Sequence, residues 1–536
     1  MANTQPSSVP VTNVFVLMLE NHSFDHIFGW SGIGGITVAT AEDSNTYDGI
    51  AYPFTGDAPS SMTTDPGHEF PDVLEQLCGA RAAAEYLENI ATGCAGPVET
   101  FAYPGIDNSG FVSSYARSTS EGTGRPDARH LKDIMSGFDT STQLPVMNAL
   151  AREFAICDFW FSSLPGPTWP NRFFVHGASA SGMDRSPSLH EELEWETYHG
   201  FEYGNGSIFA SLQAAGHGWR LYQDKDNSFS DHPSGAAQGG WISQVAALRG
   251  VSLLDVHSLK NLEQDLREGD GAAYREQYPY TFIEPNFGAS FFSPQPPEPG
   301  PRYIGGSSQH PEDDPYGGEG LIKFVYETIR SSPLWESSLL VIVYDEHGGF
   351  YDSVPPGPAV PPADPIPKGQ KDLNTHCFDF SRLGVRVPAV VVSPFIARGT
   401  VDHTIYDHTS ILATVERMLG LPALTNRDEA ANDVWHLLST EARSDCPELL
   451  PERAEVPDPP HAGTDQSRDI DDESLPASGN LIGFLHILVK EEIALAEKVG
   501  GPTAAEIVAQ FRTITTHRRA REYVEKMKQV LDEAVG

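Results

Sequence analysis

The apolar run Val14-Phe15-Val16-Leu17-Met18-Leu19 stops abruptly at Glu20-Asn21-His22-Ser23-Phe24-Asp25-His26. A short apolar run bounded by polar residues predicts a buried strand, with the polar residues at its carboxyl end. Comparable runs lie at 13–19, 219–222, 280–283, 339–344 and 387–392, separated by stretches that are helical in pattern or rich in Gly and Pro. That cadence predicts an α/β sheet carrying large insertions. Ligands of such sheets bind beyond the carboxyl ends of the strands, so the acid and amide Glu20-Asn21 mark a candidate site. Their oxygens suit Mg²⁺, Ca²⁺ or Mn²⁺, and the carboxylate also suits Zn²⁺; capping of the following turn is the competing reading.

Residues 35–127 are rich in Gly, Ser, Thr and Pro, with one convincing helix near 71–90. Insertions of this size are usually functional cover over a site. The organisation expected is a catalytic unit over 10–445, a Pro-rich acidic linker over 446–480, and a helical region over 481–536 with helices at 481–499 and 503–534. The second of these carries Arg512, Arg518, Arg519, Arg521, Lys526 and Lys528. A solvated or salt-bridged face explains that cluster, with attraction to anionic lipid headgroups as the sharper alternative.

Composition narrows the partners. The chain has 536 residues, 39% of them hydrophobic, and a formal net charge of -39, which excludes nucleic acid as a partner of the whole molecule. No run approaches the roughly 20 apolar residues that span a bilayer, and no basic segment precedes the first strand. The chain therefore reads as soluble and without a signal peptide, leaving secreted, periplasmic and cytoplasmic locations open. Cys78, Cys94, Cys157, Cys377 and Cys446 are too scattered for a disulfide framework. Reduced buried thiols are the expectation, with Cys78–Cys94 as the local pairing.

Two further stretches carry candidate chemistry. In Pro165-Gly166-Pro167-Thr168-Trp169-Pro170-Asn171-Arg172 the prolines place Thr168 just before a helix, where free N–H groups favour an anion at its hydroxyl; a plain N-cap is the alternative. In the second, the apolar run ending at Tyr344 leads into Asp345-Glu346-His347-Gly348-Gly349-Phe350-Tyr351-Asp352. Adjacent acids on an extended strand point apart, so they face one cation only if the strand breaks there, and the glycine pair makes that break possible. Like charges crowded in a crevice are costly without a cation. Among the 19 histidines, His68, His257, His310, His403 and His408 stand in polar loops.

Together these stretches, in the order Glu20 to Asp25, Thr168 to Arg172, Asp345 to Asp352 and Asp407-His408-Thr409-Ser410, resemble the phosphoesterase family, over roughly residues 10 to 440. That family includes bacterial and plant non-specific phospholipases C and an acid phosphatase branch. The resemblance implies an alkaline-phosphatase-like three-layer α/β/α sandwich with large loop insertions and a C-terminal helical tail. It implies one divalent metal held by Glu20, Asn21, Thr168, Asp345 and Glu346, with Thr168 as the nucleophile forming a phospho-threonine intermediate. It also implies His68, His257 and His310 as catalytic histidines opposite the metal, and Asn171 and His347 as substrate-binding residues. Ser353 stands where many relatives have histidine. The expected activity is phospholipase C cleavage of a glycerophospholipid, with possible peripheral membrane contact. Phosphomonoester hydrolysis and a non-catalytic Ca²⁺-binding protein are the alternatives, and oligomeric state is left open.

Overall fold

The computed structural model of the protein describes residues 9–94, 96, 99, 101–119, 125–188, 200–229, 242–288, 305–455, 472 and 474–535. Among the described residues there are ten strands: β1 (Asn13–Leu19), β2 (Ser44–Tyr47), β3 (Ile50–Pro53), β4 (Ala155–Cys157), β5 (Trp219–Gln223), β6 (Val256–Ser258), β7 (Tyr280–Glu284), β8 (Ser338–Tyr344), β9 (Ala389–Val392) and β10 (Thr400–Asp402). Eight form one sheet in the order β10-β4-β9-β8-β1-β7-β5-β6, while β2 and β3 make a separate hairpin. The large sheet is parallel except at β9, which runs antiparallel to β4 and β8. The fold is thus mixed α/β with a mostly parallel sheet, as the spacing of the apolar runs predicts. Every residue of β1 and β8 is buried, which is why these two read as continuous apolar runs.

The register of this central pair sets the site. Leu19 lies opposite Tyr344, so Glu20 and Asp345 leave the sheet side by side. β7 is the other neighbour of β1 and ends in Glu284 at the same edge.

Several expectations need correction. The helix expected over 503–534 is two helices, Ala504–Phe511 and His517–Val535. The intervening Thr513-Ile514-Thr515-Thr516 is a β-branched run that disfavours helix, and Thr516 instead makes a β-bridge to Ser474. The basic cluster of the last helix is partly neutralised: Arg518 lies 3.3 Å from Asp472, Lys526 pairs with Glu492, and Arg521 is buried. Residues 456–471 and 473 of the linker expected at 446–480 lie outside the described residues. Cys94 pairs with Cys377, across 283 residues, joining the far end of the insertion to the loop after the paired acids; Cys78, Cys157 and Cys446 are free and buried. The local Cys78–Cys94 pairing does not form.

The helix Asn480–Val499 packs on the sheet's catalytic side. A Cβ at Gly483 would fall 2.2 Å from the Trp169 ring, and Phe484 meets that ring edge-on with centroids 5.9 Å apart. Lys490 donates to the carbonyls of Leu248 and Val251 at 2.9 and 2.7 Å.

Candidate active site

At the carboxyl edge of β1 and β8, Glu20, Asn21, Thr168, Asp345 and Glu346 come together, all buried. Asn21 takes φ 59°, a left-handed conformation that Asn tolerates better than most residues, and this lets its N–H donate to Asp345 Oδ1 at 3.0 Å. The Glu346 N–H donates to the same oxygen at 2.7 Å. The strand breaks after Tyr344, as the adjacent acids require. Gly348 and Gly349 follow at φ 61° and 75°. A Cβ on Gly348 would fall 2.0 Å from the Asn21 carbonyl oxygen, and one on Gly349 2.8 Å from the Gly67 carbonyl oxygen. The two glycines therefore let the acidic loop lie against both the Glu20 turn and the loop that carries His68.

Thr168 is the first residue of the helix Thr168–Gly177, one place further in than the prolines suggest, because Pro167 occupies the cap. Its hydroxyl donates to Asn21 Oδ1 at 3.3 Å. One helical turn on, Arg172 shares this face and donates from Nε to Asp345 Oδ2 at 2.9 Å, with Nη1 3.5 Å from Glu284 Oε1. Burial raises the Glu20 pKa to about 8, with Arg172 pulling it down and Asp345 and Glu346 pushing it up. Burial likewise raises Asp345 to about 6, opposed by Arg172 and reinforced by Glu346. Among the described residues, neither oxygen of Glu20 nor Oε1 of Glu346 has a partner within hydrogen-bond distance, although the Ser308 hydroxyl is near enough to Glu20 to lower its pKa. Among the described residues, no three His, Cys, Asp or Glu side chains are arranged to hold a metal ion by themselves.

A second group of side chains comes from the insertion and from the segment after β7. His68 Nδ1 bonds the Pro66 carbonyl at 2.9 Å and lies 3.9 Å from Asp65 Oδ2. His310 Nε2 lies 3.6 Å from Asp65 Oδ1. Gln76 bridges the groups: its amide donates to the Gly67 carbonyl and its oxygen meets His347 Nε2, both at 2.7 Å.

Three expected roles do not survive the geometry. His257 lies on the edge strand β6, three strands from β1 or about 14 Å at ordinary strand spacing, and its ring packs beside Tyr222 and Arg220. Sequence order carried no information about that distance. Asn171 donates to the carbonyls of Leu164, Gly166 and Pro167 and accepts from the Leu164 N–H, so it builds the loop before Thr168 and has no group left for substrate. His347 has one nitrogen on Gln76 and the other 3.3 Å from Glu346 Oε2, which commits it to the protein as well.

A model of the Phosphoesterase family matches residues 11–422. The chain belongs to the phosphoesterase family. It is 31% identical to non-specific phospholipase C3 of Arabidopsis thaliana over 95% of this chain and 89% of that protein. It is 33% identical to non-specific phospholipase C6 of the same plant over 83% and 76%, and 26% identical to phospholipase C B of Mycobacterium tuberculosis over 77% and 74%. Among solved structures, a phosphonate monoester hydrolase from Silicibacter pomeroyi aligns at TM-score 0.31 and 12% identity, over 57% of this chain and 73% of that one. That likeness is too slight to argue from. Membership and the coverage of these relatives make the protein a phosphoric ester hydrolase, which removes the non-catalytic Ca²⁺-binding alternative.

Sequence reasoning about this phosphoesterase passed over four residues. Arg172 is the cation among the acids, and its position four residues after Thr168 on a helix was the available signal. His408, in a motif quoted without a role, is held neutral by burial at a pKa of about 4 and donates from Nε2 to the Asp345 carbonyl at 2.6 Å. Asp65 stands three residues before His68, close enough in sequence to have been considered. Nothing local marks Gln76, which sits inside the helix Phe70–Ile90. The aromatic residues Trp160 and Phe161 are buried, so they offer no contact to a lipid surface. Among the described residues, no helix is long and apolar enough to cross a membrane.

Proposed function

We propose that this phosphoesterase is a phospholipase C, cleaving a glycerophospholipid into diacylglycerol and a phosphorylated headgroup, with Thr168 as the nucleophile. The observation that carries the reading is the placement of the Thr168 hydroxyl, buried at a helix N-terminus and bonded to Asn21 Oδ1 beside three carboxylates. Free N–H groups at that terminus favour the phosphoryl group that Thr168 would carry. The similarity to curated phospholipases C over most of the chain supports the substrate class.

Glu20, Asn21, Thr168, Asp345 and Glu346 fit one divalent cation. Glu20 offers two carboxylate oxygens without hydrogen-bond partners and Glu346 offers one, in a pocket where Arg172 pairs with Asp345 and Glu284. Asn21 and Thr168 complete the oxygen set that the acids do not close by themselves. Bound there, the cation would make the Thr168 hydroxyl acidic and offset charge on the phosphoryl oxygens. Oxygen ligands of this kind suit Mg²⁺, Ca²⁺, Mn²⁺ or Zn²⁺.

The chain's own residues carry the remaining steps. Thr168 would give up its hydroxyl proton to solvent as the cation makes that hydroxyl acidic, and its Oγ1 then bonds to phosphorus while the bond from phosphorus to the glycerol oxygen breaks. The leaving oxygen takes a proton from His68. Burial opposes the charge on His68, but the carboxylates of Glu346, Asp65 and Glu69 prevail and raise its pKa to about 10. Diacylglycerol departs, and water then attacks the phospho-threonine and releases the phosphorylated headgroup.

The test is a headgroup-resolved assay on phosphatidylcholine and phosphatidylethanolamine in mixed micelles and on p-nitrophenyl phosphate, each with and without chelator. Release of phosphocholine or phosphoethanolamine that chelator abolishes is the expected result. Cleavage of p-nitrophenyl phosphate alone would transfer the protein to the phosphomonoesterases. Thr168→Ala should lower turnover at least about 10³-fold; undiminished turnover would sink the mechanism for either substrate.

A further inference from the structure

Beyond its share in keeping His68 charged, Asp65 has no role in the chemistry set out above, yet it is fully buried between the two histidines of the site. Its Oδ2 lies 3.9 Å from His68 Nδ1 and its Oδ1 lies 3.6 Å from His310 Nε2. Among the described residues it is the one carboxylate within 4.0 Å of a His68 ring nitrogen. Glu346 is turned to His347 and the Gly348 N–H, and Glu69 to the Ser186 N–H. The Ser118 hydroxyl fixes the backbone here by donating to the Asp65 carbonyl at 3.1 Å.

The hydrogen bonds also separate the two histidines. His68 Nδ1 donates to the Pro66 carbonyl, so the proton that His68 can transfer is the one on Nε2. His310 Nδ1 accepts the Glu312 N–H at 3.3 Å, which puts the proton of its neutral ring on Nε2, facing Asp65. Burial and the neighbouring His68 and His22 hold His310 in that neutral form. The pair is therefore unequal: one ring is charged with a transferable proton, and the other is neutral with its protonated nitrogen 3.6 Å from the same carboxylate.

We propose that Asp65 is a positioning residue shared by both histidines, its charge keeping His68 oriented as the proton donor to the leaving oxygen and favouring the His310 tautomer that the Glu312 N–H selects. The proposal rests on the phosphoryl-transfer reading of the site. In the step it supports, the electron pair of the breaking P–O bond goes to the glycerol oxygen, and the proton on His68 Nε2 joins it, leaving His68 neutral. Neutral His68 recovers its proton from solvent, and the water that attacks the phospho-threonine gives its proton to solvent as Thr168 leaves in the deprotonated form in which it attacked, which restores the starting state and leaves His68 acting on the leaving group alone.

The leaving group reports on this assignment, because an alkoxide needs a proton as it departs and p-nitrophenolate does not. The substrates are monomeric dihexanoyl-phosphatidylcholine and p-nitrophenyl phosphorylcholine. Asp65→Asn should lower kcat about 30- to 100-fold on the first and less than about fivefold on the second, with KM moving less than about threefold on both. His68→Gln should show the same selectivity. Adding Asp65→Asn to His68→Gln should cost less than about threefold more, since both act through one proton. Equal loss on both substrates, no loss on either, or full additivity in the double variant would overturn the proposal. Should Asp65→Asn fail to fold, Asp65→Glu displaces the same charge by one methylene and the ratio between substrates is read again, an unchanged ratio overturning it. Thr168→Ala separates this outcome from failure of the phosphoryl-transfer reading, because it removes turnover of both substrates alike if Thr168 is the nucleophile.

Discussion

Two buried acid clusters lie within one loop of each other, and their hydrogen bonding is opposite. Around Arg386, Asp352 Oδ1 accepts from the guanidinium at 2.8 Å and from the Val354 N–H at 3.0 Å, while its Oδ2 accepts the Asp25 N–H at 3.2 Å. Asp25 Oδ1 accepts the Ala39 N–H at 2.9 Å, and Oδ2 accepts both the N–H and the hydroxyl of Ser353 at 2.7 Å. Asp158 is similarly occupied by the Thr37 N–H and His403. Around Arg172, by contrast, both oxygens of Glu20 and one of Glu346 are left without partners. Titration does not distinguish the clusters: burial raises Asp352 to about 7, with Arg386 opposing and Asp25 reinforcing, much as it raises Glu20. Hydrogen bonding does. Buried polar groups are ordinarily paired, so an acid that the fold leaves unpaired is held for a ligand, and an acid with every oxygen engaged is held for the fold.

The sharpest way to break this contrast is to remove the cation from the satisfied cluster. Arg386→Met leaves Asp25 and Asp352 buried without their partner and should cost about 3–5 kcal/mol, read by urea unfolding. A cost below about 1 kcal/mol would mean that the cluster does not hold the fold. The matching change on the other side is Glu20→Gln. It should lower phosphoester turnover about 10²- to 10³-fold while changing the stability of the chelated protein at pH 5 by less than about 1 kcal/mol. The same variant reads pH. An acid whose folded pKa is raised contributes stability below its unfolded value and loses it as pH rises through the folded one. For Glu20 that window runs from 4.5 to about 8, and Asp345 and Asp352 add to it below about 7. Above about pH 7, past the range in which buried neutral histidines such as His22, His176 and His408 add stability with rising pH, the chelated protein should lose stability up to pH 8, and Glu20→Gln should flatten that part. An unchanged slope in the variant would take Glu20 out of the unsatisfied set.

The sequence carried the satisfied and unsatisfied acids with the same local signature, an acid after an apolar run or a glycine pair. What could be read were the long buried strands, β1 and β8, whose continuous apolar runs locate their own ends and so place Glu20 and Asp345. The three-residue strands β4, β6 and β10 are too short to impose a period, and without them the strand order was out of reach. His257 was misplaced for that reason, since its distance from β1 depends on where β6 docks. Asn171 shows a different limit: an amide in the right motif looks available until its four hydrogen bonds to the preceding loop are seen. The Cys94–Cys377 bond spans a separation that no spacing rule reaches. Asp25 was readable as part of the turn that supports Glu20, and its pairing with Arg386 gives that support a physical form.

The smallest test falls on Ser353, the residue that departs from the family's histidine. Its hydroxyl and its N–H both donate to Asp25 Oδ2, so it belongs to the satisfied cluster although it follows directly on the acidic loop of the unsatisfied one. Ser353→Ala removes the hydroxyl bond and keeps the backbone bond. It should cost about 1–2 kcal/mol, because the lost bond goes to a charged acceptor in a partly buried place, and it should leave kcat and KM within about twofold. A fall in kcat with stability unchanged would move Ser353 across the boundary into the chemistry. Asp25 and Arg386 would then have to be re-examined with it, since the three residues share the same carboxylate oxygens and cannot be divided between a structural and a catalytic role.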